Sequence, residues 1–190
     1  GVAAALRAVG LMSFLREDNL AKVVGSFDPG AIITEANRLF PLTQDGEYFT
    51  LWVGRLDISS RMLSYATAGH SGAFLQAAGD GSRWLSMASL PLGFDPHSVF
   101  ESMHTPLLSL DRLYLLSDGI YEAPSPTGEL WGRDRLQATL EAHRSHSLGQ
   151  SIADTMATAR QWLAGEIFPD DVALLGLEML DTLLGQKERA

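Results

Sequence analysis

Apolar positions in the first forty residues recur at three- and four-residue spacing, and beyond residue 48 they give way to alternating and continuous runs, so the pattern changes from helical to extended. Leu6, Val9, Leu11, Met12, Phe14 and Leu15 predict a helix over 2–16 packed on a sheet, with Ala3, Ala4 and Ala5 permitting close approach. Asp28 followed by Pro29 is an N-cap with proline at the first helical position, and Ile32, Ile33, Ala36, Leu39 and Phe40 then form one face of a second helix. Pro41 ends it, and Gln44-Asp45-Gly46 makes a turn. Tyr48–Leu56 and Met62–Ala68 are rich in β-formers and predict a hairpin. After Gly69-His70-Ser71-Gly72, a second hairpin joins Ala73–Gln76 to Trp84–Met87 across the glycine-rich turn Ala78–Ser82. Leu90–Pro96 is a loop, and Val99–Pro106 alternates as a half-exposed strand does.

The continuous run Leu113-Tyr114-Leu115-Leu116 lies between Asp111 and Ser117-Asp118-Gly119, which suits a central strand covered on both faces. Two prolines and a glycine in 124–128 exclude regular structure and predict a mobile loop directly after it. Arg133–Ala142 reads as a helix, and Ser147-Leu148-Gly149-Gln150 resembles a capping box opening a longer helix to about Leu163. Val172–Met179 is the last strand, and 181–190 is a polar, weakly helical tail. Helices, then five or six strands in hairpins, then two helices and a returning strand indicate an α+β fold with antiparallel sheets. A length of 190 residues suits one domain over 1–180 with the tail at 181–190.

Composition narrows the function. A net charge of −9 with only 14 dispersed Lys and Arg disfavours nucleic acid and anionic membrane surfaces. No apolar run approaches the roughly eighteen residues of a membrane span, so a soluble protein is expected. The absence of Cys excludes disulfides and thiolate metal sites, fits a cytoplasmic protein and leaves oxygen and imidazole ligands.

The candidate chemistry is carboxylate. Taken alone, Ser117-Asp118-Gly119 is ordinary turn chemistry. A second acidic pair, Asp170-Asp171, precedes the final strand, so two strands each carry a carboxylate at one end. If they are neighbours, Asp118 and Asp170 can share a hard divalent ion such as Mg²⁺ or Mn²⁺. His70 reads as structural, bonded to backbone at a strand end, and His97, His104, His143 and His146 show no pairing or ligand spacing. Trp52, Trp84, Trp131 and Trp162 read as core or interface anchors.

Six short stretches occur in a familiar order: Phe49-Thr50-Leu51 with Gly54 and Leu56-Asp57; Tyr65-Ala66-Thr67-Ala68-Gly69-His70; Leu90-Pro91-Leu92-Gly93; Ser117-Asp118-Gly119-Ile120-Tyr121-Glu122-Ala123; Gly128-Glu129-Leu130-Trp131-Gly132; and Asp170-Asp171-Val172-Ala173-Leu174-Leu175. Together they resemble the PP2C-like phosphatases of the SpoIIE and RsbU kind, bacterial regulators that dephosphorylate anti-sigma-factor antagonists. The resemblance implies an α-β-β-α sandwich of two antiparallel sheets flanked by helices, with two Mn²⁺ or Mg²⁺ ions at one edge. It implies that Asp118 and Asp170 are catalytic metal ligands, with Asp171 the weaker candidate, and that no protein nucleophile is needed. It further implies a phosphoserine or phosphothreonine protein as substrate and a regulatory domain upstream, as in a response regulator, and it leaves room for a homodimer.

Departures from the pattern are also informative. The family places another Asp in a Gly-Asp-Val-Ser-Gly-His-Gly stretch, and this chain begins, at Gly1-Val2-Ala3-Ala4-Ala5-Leu6, where that stretch would end. The bridging carboxylate and its strands are therefore expected upstream, and the 190 residues alone are expected to bind metal weakly, turn over little and leave an open sheet edge. Ala173 stands where Thr or Ser is commoner, and Ser71-Gly72 replaces a proline-containing pair. A catalytically silent domain that works by binding proteins is the competing expectation.

Overall fold

Residues 2–165 and 167–180 are described by the computed structural model. In chain order they form α1 (Val2–Phe14), α2 (Glu17–Val23), α3 (Pro29–Leu39), β1 (Leu51–Asp57), β2 (Met62–Ala68), β3 (Ala73–Gln76), β4 (Arg83–Leu85), β5 (Met103–Pro106), β6 (Arg112–Leu116), a 3-10 turn (Asp118–Ile120), α4 (Arg133–Ala142), α5 (Leu148–Trp162) and β7 (Leu174–Glu178). Two antiparallel sheets result, ordered β1-β2-β5 and β4-β3-β6-β7. The tail predicted over 181–190 lies outside the described residues. No described helix is long and apolar enough to cross a membrane.

One compact unit comprises Gly1–Gly72 with Ser86–Leu107. Here α3 starts as the sequence predicts: the Asp28 side chain accepts the Ala31 N–H at 2.9 Å and Pro29 occupies the first turn. Ile32, Ile33 and Ala36 are buried with Ala66 and Ala68 of β2, and Leu11 and Phe14 of α1 join the same core. The rest of α1 departs from expectation, because Leu6, Val9 and Met12 recur on its other side and stay at least 63% exposed. α2 was not anticipated; over seven residues a helical period has too little length to declare itself. The strand predicted from Val99 begins only at Met103. Residues 100–102 are instead committed to α3: Phe100 donates its N–H to Thr34 Oγ1, and the Gly30 N–H donates to Ser102 Oγ.

The other unit comprises Ala73–Leu85 with Leu108–Ala190 and holds both candidate carboxylates. β6 runs between β3 and β7, as four apolar residues in a row predict. Tyr114 at its centre is fully buried, its hydroxyl 3.2 Å from Ser151 Oγ of α5, and α4 adds Leu136 and Leu140 to the core. Ser147 caps α5 by accepting the Gln150 N–H at 3.3 Å, the first half of the predicted box, while the Gln150 side chain donates to Asp154 Oδ1 at 2.8 Å along the helix. The stretch 124–129, expected to be a mobile loop, is a hydrogen-bonded turn. Ser125 and Glu129 pair through backbone at 2.7 Å, and Trp162 Nε1 donates to the carbonyls of Ala123 and Glu129.

Candidate metal centre

β6 and β7 are antiparallel neighbours whose ladder ends at Leu116 opposite Leu174. The end of β6 and the start of β7 therefore coincide, and Asp118 and Asp170 lie just past the same end of the sheet. Beyond the ladder the two chain segments remain joined. Ser117 donates its N–H to the Ala173 carbonyl at 3.0 Å, its Oγ accepts the Ala173 N–H at 2.8 Å, and its hydroxyl donates to the Asp171 carbonyl at 3.0 Å.

Asp118 opens the 3-10 turn, and its carbonyl accepts the N–H groups of Tyr121 at 3.0 Å and Glu122 at 2.9 Å. Ile120 and Tyr121 are buried in the core below, so the turn is anchored while the carboxylate stays in water. Gly119 sits against the opposite segment so closely that a Cβ there would lie 2.6 Å from the Asp171 carbonyl oxygen. On the other side, Asp170 Oδ1 accepts the Asp171 N–H at 2.7 Å, which fixes the direction of that side chain. Asp118, Asp170 and Asp171 are all exposed.

This donor set is oxygen only, which suits a hard divalent ion over a soft one. Each carboxylate offers about four lone-pair sites, so the bond already made by Asp170 leaves most of its capacity for a ligand. Among the described residues no three His, Cys, Asp or Glu side chains come together as a metal-holding group. Asp118 and Asp170 are thus two oxygen donors at one sheet end, a partial set for a hard ion, and among the described residues no third His, Cys, Asp or Glu joins them.

The histidines lie apart from this chemistry. His70 Nδ1 accepts the Gly72 N–H at 3.0 Å and its carbonyl accepts the Thr67 hydroxyl at 3.1 Å, in keeping with a structural role. His104 Nδ1 lies 2.9 Å from Ser64 Oγ. His143 and His146 join no metal-holding group among the described residues; their rings stack at 5.3 Å, and His146 Nδ1 lies 2.8 Å from Asp154 Oδ2 of α5. A spacing of eight residues across a helix start hid that pair. Trp131 is buried, and Trp84 donates to Gln137, consistent with anchoring. Sequence reading missed Ser117 and the packing role of Gly119; the signal was present in their flanking of Asp118, but turn chemistry accounted for both.

The sequence matches the profile of the family described as Stage II sporulation protein E (SpoIIE) over residues 1–180. The chain belongs to the SpoIIE family. Among curated proteins, a stretch of 98 residues, 52% of the chain, is 35% identical to Protein IcfG of Synechocystis sp., of which it spans only 16%. Among solved structures, the SiaA-PP2C domain of Pseudomonas aeruginosa superposes with a TM-score of 0.78 at 23% identity, covering 95% of this chain and 71% of that one. The structure of the RsbU and RsbW domains of Rv1364c from Mycobacterium tuberculosis gives a TM-score of 0.66 at 24% identity, covering 96% of this chain and 49% of that one. At these identities the likeness establishes the fold: two antiparallel sheets with helices, in the PP2C-like arrangement.

Proposed function

We propose that this SpoIIE-family domain is a metal-dependent phosphatase acting on phosphoserine or phosphothreonine of a protein substrate, with Asp118 and Asp170 as metal ligands. The observation that carries the reading is the adjacency of β6 and β7, which brings the two exposed carboxylates to one sheet end. When bound, Mn²⁺ or Mg²⁺ supplies an activated water and offsets charge on phosphoryl oxygens. The protein's part is to hold the ion's ligands at fixed spacing on an anchored turn and a stapled strand end, with no Cys or other protein nucleophile required. Membership of a family of signalling regulators supports a phosphorylated anti-sigma-factor antagonist as substrate, a regulatory domain elsewhere in the protein as control, and a cytoplasmic setting.

One observation favours a second reading. Among the described residues no group of three His, Cys, Asp or Glu comes together to hold a metal, which a catalytically silent, protein-binding domain would also tolerate. The test is phosphate release from a phosphoserine protein by the full-length protein with Mn²⁺. Activity that falls by about two orders of magnitude in Asp118→Asn and Asp170→Asn, with circular dichroism unchanged, supports the phosphatase. Undiminished activity in both variants overturns the ligand assignment, and a wild-type protein that binds the substrate without releasing phosphate favours the silent domain.

A further inference from the structure

We infer that Ser117 and Gly119 form a clasp that sets the separation of the Asp118 and Asp170 carboxylates, and so the affinity of the site for a divalent ion. The inference rests on the metal-ligand reading above and adds to it two residues that touch no substrate. Both are positioning residues.

Three features of the strand ends carry the argument. The Ser117 hydroxyl is used in both directions, accepting from Ala173 and donating to Asp171, so one side chain bonds both sides of Val172 on the opposite segment. The Asp171 carbonyl that receives this bond is also the group against which Gly119 packs, at a distance that leaves no room for a Cβ. Asp171 is in turn tied to the ligand, because its N–H donates to Asp170 Oδ1. A continuous path of short contacts therefore runs from Asp118 through its two chain neighbours to the Asp171 peptide and on to the Asp170 carboxylate. Glycine is needed at 119 for space. Its Cα approaches the facing backbone directly, and a backbone atom cannot swing aside as a side-chain end would.

A β-ladder alone would not give this control. Regular pairing stops at Leu116 and Leu174; one backbone bond, from the Ser117 N–H to the Ala173 carbonyl, follows it, and the Ser117 hydroxyl adds the two bonds that carry the hold on to the Asp171 peptide. Serine suits the task because its hydroxyl is both donor and acceptor on a short stem. Threonine keeps that hydroxyl, and the extended backbone of Ser117, φ −82° and ψ 160°, accommodates a β-branched side chain. Alanine removes both bonds and leaves the Ala173 N–H and the Asp171 carbonyl to water.

The test is Mn²⁺ binding to the full-length protein, read by loss of the electron paramagnetic resonance signal of the free aquo ion, with thermal unfolding followed in parallel. Ser117→Ala is expected to weaken binding about tenfold, the scale at which outer groups tune metal sites, and Ser117→Thr to restore it. Gly119→Ala is expected to weaken binding at least as much, since it forces the segments apart. Asp118→Asn and Asp170→Asn serve as the reference for the underlying reading. If these two lose binding while folded Ser117→Ala and Gly119→Ala bind as the wild type does, the clasp is overturned and the ligands stand. If the two Asp variants bind normally, the ligand assignment fails and the clasp fails with it. Should Ser117→Ala not fold, a folded Gly119→Ala decides alone: wild-type affinity overturns the proposal and weakened affinity supports it.

Discussion

Arg112, at the start of the strand that leads to Asp118, is expected to be a principal stabiliser of the unit that holds the site. Its side chain is 5% exposed, and Nε donates to Glu178 Oε1 at 3.0 Å across the β6–β7 pair. Nη1 donates to the Arg144 carbonyl at 3.1 Å and Nη2 to the His146 carbonyl at 2.7 Å, which ties both strands to the connection between α4 and α5. Arg112→Ala leaves a partly buried Glu178 and two carbonyls without this partner. Removing one member of a buried pair costs about 3–5 kcal/mol, whereas an exposed pair contributes about 1 kcal/mol or less. Arg144 Nη1 lies 3.8 Å from the same Glu178 oxygen and offsets part of the loss, so the lower end, about 3 kcal/mol, is expected. Arg112→Lys keeps the charge without the planar fork and should fall between the two. Urea unfolding followed by tryptophan fluorescence, compared at equal m-value, measures the difference. A loss under about 1 kcal/mol in Arg112→Ala would refute the reasoning and mean that the guanidinium is replaced there by water.

Other consequences follow from the same contacts. Burial tends to raise the Asp28 carboxyl, but its bonds from the Ala31 N–H and the Ser102 hydroxyl, with His104 nearby and the Gly30 N–H, hold it below the ordinary 3.8. A depressed carboxyl stabilises the fold above its unfolded value and loses that contribution as pH falls through the lower folded value. Asp28→Asn, which keeps the cap, should therefore flatten stability against pH below about 4, and Asp28→Ala should cost about 1 kcal/mol at neutral pH. An unchanged acid limb in Asp28→Asn contradicts this. Trp162→Phe removes the donor shared by Ala123 and Glu129, and should cost about 1 kcal/mol and speed proteolysis within 124–130. Gly176→Leu should destabilise by about 1–3 kcal/mol, because even a Cβ at 176 meets Leu148 at 2.8 Å and Ile152 at 2.9 Å; unchanged urea midpoints would contradict it.

The legible part of this fold was the part written in local chemistry. Asp28-Pro29 and Ser147 with Gln150 announced helix starts because capping uses residues within three positions. The run Leu113–Leu116 announced a strand covered on both faces because no polar residue interrupts it. Asp118 and Asp170 were legible as strand-end carboxylates, but their convergence depends on β6 and β7 being neighbours, a pairing across about sixty residues that no local pattern states. Ser117 was less legible still, since its partners Asp171 and Ala173 are as distant in sequence. Val99 and Phe100 misled for the opposite reason: their alternation is that of a strand, yet a bond to Thr34 holds the segment on α3.

That Asp118 and Asp170 bind one ion together is tested most directly by titrating Mn²⁺ into the isotope-labelled chain and following backbone amide resonances, a measurement that tolerates weak affinity. Paramagnetic broadening falls steeply with distance, so a shared ion must affect both segments at the same concentration. A shared ion broadens the amides of Asp118, Gly119, Asp170 and Asp171 together, ahead of those beside the exposed Asp57 and the half-buried Asp95, and Asp118→Asn protects the 170–171 amides as well as its own. Broadening of one segment alone, or broadening that begins beside Asp57 or Asp95, would contradict it.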